Sequence, residues 1–88
     1  MAAIATVPGV IKIDLHSSEP SYLQLARILR ARIESGEIPP RSPLPSLTSL
    51  QGETGLAIGT IRRAIGVLVN EGIAYTVPGR GTFAGTPS

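Results

Sequence analysis

From Tyr22 the apolar residues recur at helical spacing. With Leu25, Ala26, Leu29 and Ile33 they fall at i, i+3, i+4, i+7 and i+11, one stripe that predicts an amphipathic helix. Ser17-Ser18-Glu19-Pro20 supplies its start: a serine near the N-cap, glutamate in the first turn, and proline where a missing N–H does no harm. Ser35-Gly36 supplies its end. Ahead of this helix, Ile11-Lys12-Ile13-Asp14 alternates apolar and polar, the pattern of a short half-buried strand. Residues 1–10 carry no period and contain Pro8-Gly9, so they are expected to be a flexible N-terminal arm.

After the helix, residues 37–45 hold Pro39, Pro40, Pro43 and Pro45 and can only be an extended connector, with Leu44 directed to the core. Ser46 is placed to cap a short helix through Thr54, with Leu47 and Leu50 as its apolar contacts. Gly55 supplies the turn, because the end of a helix favours a residue of positive φ. A longer helix is predicted over 57–70, with Ile61, Ile65 and Leu68 facing the core and Thr60, Arg62, Arg63 and Gly66 off that stripe. Asn70-Glu71-Gly72 ends it. Ile73 to Val77 then reads as a strand, Pro78-Gly79-Arg80-Gly81 as a tight turn and Thr82-Phe83-Ala84 as the return. A lone hairpin is marginal, so it needs the helices, and strand 11–14 if that forms, to back it.

The pattern therefore predicts a mainly α fold with a small β-hairpin: three helices plus a wing over 11–84, with 85–88 as a C-terminal tail or the start of a linker. Two helices joined by a glycine turn are the helix-turn-helix arrangement, whose second helix is the one that enters a major groove. The two elements expected to face DNA each carry arginine, Arg62 and Arg63 on the helix and Arg80 at the hairpin tip.

Composition narrows the function. With 88 residues the chain is one domain, and with two Tyr, one Phe and no Trp its core must be aliphatic. Without cysteine it has neither disulfides nor thiolate metal sites. A single histidine, His16, and no nucleophile or metal-ligand spacing leave an enzyme without parts, and no cofactor is expected. MAAIATVPGV lacks the basic start of a signal peptide, and no run approaches the roughly 18 apolar residues of a membrane span. A soluble, cytoplasmic protein is expected.

The formal net charge of +2 is modest, but its placement is informative. In residues 1–40, Lys12, Arg27, Arg30 and Arg32 balance Asp14, Glu19, Glu34 and Glu37. In residues 41–88, Arg41, Arg62, Arg63 and Arg80 face only Glu53 and Glu71. The excess therefore lies in the half that carries the helix-turn-helix and hairpin, as a nucleic-acid footprint requires. Arg27 and Arg30 lie off the apolar stripe, either on a solvated face or reaching a phosphate from the flank. Gly79-Arg80-Gly81-Thr82-Phe83-Ala84 formally fits a dinucleotide fingerprint, but no helix follows it and the context fails.

The stretch from 20 to 84 resembles the N-terminal DNA-binding domain of the GntR family of bacterial transcription regulators. The likeness rests on Tyr22, Leu25-Ala26 and Leu29-Arg30, on Ile33 through Pro40, and on Leu44-Pro45-Ser46. It continues through Leu50, Gly55, Thr60-Ile61-Arg62, Ala64-Ile65, Leu68 and Glu71-Gly72 to Gly79-Arg80-Gly81-Thr82-Phe83. The resemblance implies a winged helix-turn-helix that binds double-stranded DNA at inverted-repeat operators as a homodimer, usually as a repressor. Recognition helix 57–70 would meet base edges in the major groove, and wing 78–82 would enter the minor groove.

Residue chemistry agrees with those roles. Arg62 can reach guanine O6 and N7 or a phosphate, and Gly79 and Gly81 let the backbone approach closely. Arg80 suits the negative potential of a narrow minor groove. Ser46, Thr48, Thr60 and Arg63 are candidates for phosphate contacts.

Leu47-Thr48 and Ala57-Ile58 stand where the family commonly has Glu-Arg and Ser/Thr-Arg. Two frequent DNA-contacting arginines are thus missing, Ala57 is a poor N-cap, and Ile58 is left to touch a thymine methyl. The family's effector-binding and dimerising domain would begin about where this sequence stops, so a small-molecule effector is expected only if such a domain exists in the full-length protein. The alternative function is a winged-helix protein-interaction module, with Leu47 and Ile58 on an apolar contact face.

Overall fold

The computed structural model describes residues 12–86. The arm expected over 1–10, Ile11 and the last two residues lie outside that range. Three helices, α1 (Ser21–Glu34), α2 (Leu47–Thr54) and α3 (Ile58–Asn70), precede a hairpin of β1 (Ala74–Val77) and β2 (Gly81–Ala84). This is the three-helix winged architecture that the hydrophobic pattern predicts.

The core is aliphatic. Leu25 and Leu29 of α1, Leu50 of α2, and Ile61 and Leu68 of α3 are its largest fully buried side chains. Leu44 of the connector joins them, as do Ala26, Ala64 and Ile65. At the base of the hairpin Ala74 and Ala84 close it from below. Two small residues at this paired position let the hairpin root sit against the helices. Tyr75 and Phe83, one pair further out, stack with ring centroids 5.7 Å apart.

Two expectations for the N-terminal segment need correction. Residues 12–14 form no strand. The N–H of Asp14 donates to Oε1 of Gln24 at 2.9 Å, and Gln24 Nε2 donates to the carbonyls of Asp14 and Glu19, each at 2.8 Å. A buried side chain (Gln24 is 4% exposed) thus takes the backbone partners that a neighbouring strand would have supplied. The start of α1 also differs: the N-cap position is Pro20, without a side-chain cap, and Glu19 stays outside the helix. Ser17 instead accepts from the Glu19 N–H in a local turn of its own.

The proline-rich connector, rather than residues 11–14, supports the hairpin. Leu44 N–H donates to Thr82 O and Ala84 N–H to Ser42 O, both at 2.9 Å, while Arg41 N–H donates to Ala84 O at 2.7 Å. Pro43 bridges Phe83 in this antiparallel edge, at a position where its missing N–H leaves no ladder bond unmade. Arg41 starts the edge at φ 67°, in the left-handed region that an L-residue enters only at a cost of about 1–2 kcal/mol.

Gln24→Leu keeps the volume and removes three hydrogen bonds. It should lower stability by about 1–3 kcal/mol in urea denaturation, because the polar groups of residues 14–19 lose their partner. Protection of the Asp14 amide from hydrogen exchange should fall with it.

Candidate nucleic-acid interface

Ser46 adopts φ −66°, ψ 160°, and its hydroxyl accepts from the Ser49 N–H at 3.0 Å, capping α2 as its sequence position predicts. It also donates to Ser49 Oγ at 3.0 Å, so both functions of this hydroxyl are used within the helix start. Gly55 takes the left-handed conformation at the end of α2 and its N–H donates to Gln51 O. Gly55, Leu56 and Ala57 then turn the chain into α3.

Ala57 occupies the N-cap of α3 with φ −67°, ψ 151°, and no side chain caps that end. The inward face of α3 is Ile61, Ala64, Ile65 and Leu68. Because one face is fixed in the core, Arg62 and Gly66 are turned outward. Ile58 is half-buried at the first position, and Thr60 is half-buried as well. Thr48 is exposed in the first turn of α2.

At the hairpin tip the N–H of Arg80 donates to Val77 O at 2.9 Å, closing a turn with Pro78 and Gly79 in its centre. Gly79 has φ 78°, so proline followed by a positive-φ glycine gives a type II turn. This turn leaves Gly79 and Arg80 exposed beyond the paired residues, next to Gly81, which is exposed at the last pair with Val77.

Arg62 and Arg80 meet across one open groove of about 800 Å³, between the exposed side of α3, the wing and the 43–47 segment. Ser46 and Gly81 line it too, whereas Thr48, Ile58, Thr60, Arg63 and Gly79 do not. Pro45, Leu47 and Val69 give it apolar surface.

The charges divide sharply between elements. The three arginines of α1 are paired with carboxylates: Arg27 with Glu19 at 2.9 Å, Arg30 with Glu71 at 2.8 Å and Arg32 with Glu37 at 3.6 Å. Hydrogen bonding and charge from Glu19 raise the pKa of Arg27 further above its ordinary value. The guanidiniums of Arg27 and Arg30 therefore each already have an anion, which a phosphate reached from the flank would have to displace. Among the described residues no carboxylate pairs with Arg62, Arg63 or Arg80.

A family model, Bacterial regulatory proteins, gntR family, matches residues 21–84. The chain belongs to the gntR family. Its gntR-family relatives include the HTH-type transcriptional repressor NagR of Bacillus subtilis, 39% identical over 77 residues, which are 88% of this chain and 32% of that protein. The arabinose metabolism transcriptional repressor of Geobacillus stearothermophilus is 35% identical over 68 residues, 77% of this chain and 19% of that one. The chain therefore spans a third or less of the length of these relatives.

Among solved structures, the DNA-binding domain of AraR in complex with operator ORE1 superposes with a TM-score of 0.77 at 34% identity, covering 85% of this chain and 98% of that one. YtrA from Sulfolobus acidocaldarius, a GntR-family transcription factor, gives 0.78 at 34% identity, covering 90% and 83%. The gntR fold is thus reached at an identity level that carries family as well as shape.

Sequence reasoning missed the stack of Arg63 on Tyr22, with the guanidinium carbon 4.1 Å from the ring centroid. The two residues are forty-one positions apart, and no local pattern signals their meeting. Ala57→Ser is expected to raise stability by about 1 kcal/mol in chemical denaturation, because Ala57 already has the extended backbone that lets Ser46 cap α2.

Proposed function

We propose that this gntR-family chain is the DNA-binding part of a transcription regulator, most simply a cytoplasmic repressor, that reads an inverted-repeat operator as two copies. One observation carries the reading: Arg62 of α3 and Arg80 of the wing line the same groove without a carboxylate partner, while the arginines of α1 are neutralised. Unpaired guanidiniums on two elements that converge are what a polyanion with two adjacent grooves requires. The relatives named as repressors, and the similar domain solved with operator DNA, support the same reading.

In this mechanism α3 lies in the major groove, where Arg62 donates to guanine O6 and N7 and Ile58 packs on a thymine methyl. The wing places Arg80 in the adjacent minor groove, and the bare backbone at Gly79 and Gly81 permits close approach. Thr48, Thr60 and Arg63 contact phosphates and set the register. Ser46 contributes through the capped helix start, since its hydroxyl is already engaged with Ser49. With so few arginines a single copy binds weakly, and two half-sites supply the affinity. Any effector would act through segments beyond this domain. No catalytic role is proposed.

A second reading, a protein-interaction module, draws on the half-exposed Ile58 and the exposed Val69. Selection of bound duplexes from a random pool separates the two. The expected result is an inverted-repeat motif whose binding weakens steeply with salt. Arg62→Ala should cost at least about fivefold in specific affinity, the lower end of what one bidentate base contact contributes. Arg80→Ala should weaken binding chiefly where the flanking minor groove is narrow.

Gly66→Ala offers a control of opposite sign. A methyl there meets nothing of the protein within 4 Å but enters the groove that Gly66 lines, so helix stability should rise by roughly 1 kcal/mol while DNA affinity falls. If no duplex is retained even at low salt, the interaction-module reading replaces the regulator.

A further inference from the structure

Arg63 follows Arg62 directly in the chain, yet the two guanidiniums leave α3 in different directions. Successive residues on a helix are about 100° apart, so one arginine can face the wing while the next faces α1. Arg62 lines the groove beside the wing. Arg63 instead lies over the ring of Tyr22, near the start of α1, with its guanidinium carbon 4.1 Å from the ring centroid.

The contact sets the guanidinium carbon over the ring, and among the described residues none of the five N–H donors meets an acceptor. Arg63 is exposed on its helix and has no carboxylate partner. The result is a cation whose side chain is already packed on a neighbour and whose donors meet no acceptor among the described residues. Arginine ordinarily loses considerable rotamer freedom when it binds an anion, and a stack made beforehand removes part of that cost.

A helix seated in a major groove about 12 Å wide has a phosphate strand on either side of it. The wing serves one side. From this geometry we infer that Tyr22 is a positioning residue for DNA binding: it holds Arg63 so that the guanidinium edge meets a phosphate on the strand opposite the wing. The inference rests on the DNA-binding reading above and adds a second flank to it, so that α1 takes part in the footprint although its own arginines are neutralised. The ligand is a phosphodiester of duplex DNA. Tyr22 itself supplies an aromatic face, and its hydroxyl is not required.

The test uses the selected duplex with wild type, Arg63→Ala, Tyr22→Leu, Tyr22→Phe and the double variant Tyr22→Leu/Arg63→Ala, each titrated over a range of salt. Arg63→Ala should reduce the slope of log affinity against log salt by about 0.9, the signature of one lost phosphate contact. Tyr22→Leu should weaken binding by about twofold to tenfold, the range for restoring freedom to one long side chain. It should do nothing further in the Arg63→Ala background, and Tyr22→Phe should bind as wild type does. Single methylphosphonate replacements should locate the Arg63-dependent phosphate on the strand away from the Arg80 contact.

The inference is overturned if the Tyr22→Leu and Arg63→Ala losses add, if Tyr22→Phe loses as much as Tyr22→Leu, or if the salt slope ignores Arg63. Thermal melts separate a folding defect in Tyr22→Leu, which would lower stability and leave the slope unchanged, again against the inference. A wild-type chain that binds no duplex would instead reject the parent reading, and that outcome is distinct from all of these.

Discussion

Everything outward-facing on this chain depends on how α3 is pinned inside. Ile61, Ala64, Ile65 and Leu68 sit in an aliphatic core with Leu25 and Leu29 of α1 and Leu50 of α2. Rotating α3 by a single residue would bring Arg62 inward and expose a fully buried isoleucine, and burying an unpaired guanidinium costs far more than any gain in packing. The helix therefore has one allowed orientation about its axis. Arg62, Gly66 and Asn70 face out because their neighbours cannot.

The same constraint places the wing. The chain leaves α3 at Asn70, and Ile73 N–H donates to Leu68 O at 3.0 Å, tying the first residues of the hairpin to the helix end. Arg30 of α1 grips Glu71 through three hydrogen bonds between 2.8 and 3.0 Å and steadies this corner from the other side. The 41–44 edge then holds β2 along its outer side. A two-stranded hairpin would be marginal in isolation, but here it is anchored at its root, along one edge and at the corner that feeds it. Its tip is left as the unanchored part, and that is where Arg80 sits.

Charge follows the same division between scaffold and contact surface. Carboxylates from the segment before α1, from the turn after it and from the corner after α3 satisfy Arg27, Arg32 and Arg30 in turn. These pairs are partly exposed and add little stability individually. Their consequence is electrostatic: they cancel the positive field of α1 and leave the net charge concentrated on α3 and the wing. A domain of net charge +2 can thus present a cationic face without being strongly basic overall.

Periodicity determined α1, α3 and most of the core, because the spacing of Leu25, Leu29, Ile61, Ile65 and Leu68 admits only one buried face per helix, and the turn chemistry of residues 78–81 determined the hairpin. The caps at Ser46 and Gly55 were equally legible, since capping is chemistry between residues three or four positions apart. The alternation at 11–14 misled because a short apolar-polar run fits a strand and a side-chain-stapled coil equally well. Only the buried amide of Gln24, ten residues away, decides between them. Likewise, no local rule joins the prolines of the connector to β2, Arg30 to Glu71, or Arg63 to Tyr22. Those contacts exist because packing α1 against α3 and folding the wing back brings distant segments to one place, so the tertiary structure alone decided which arginines are spent on the fold and which remain for a partner.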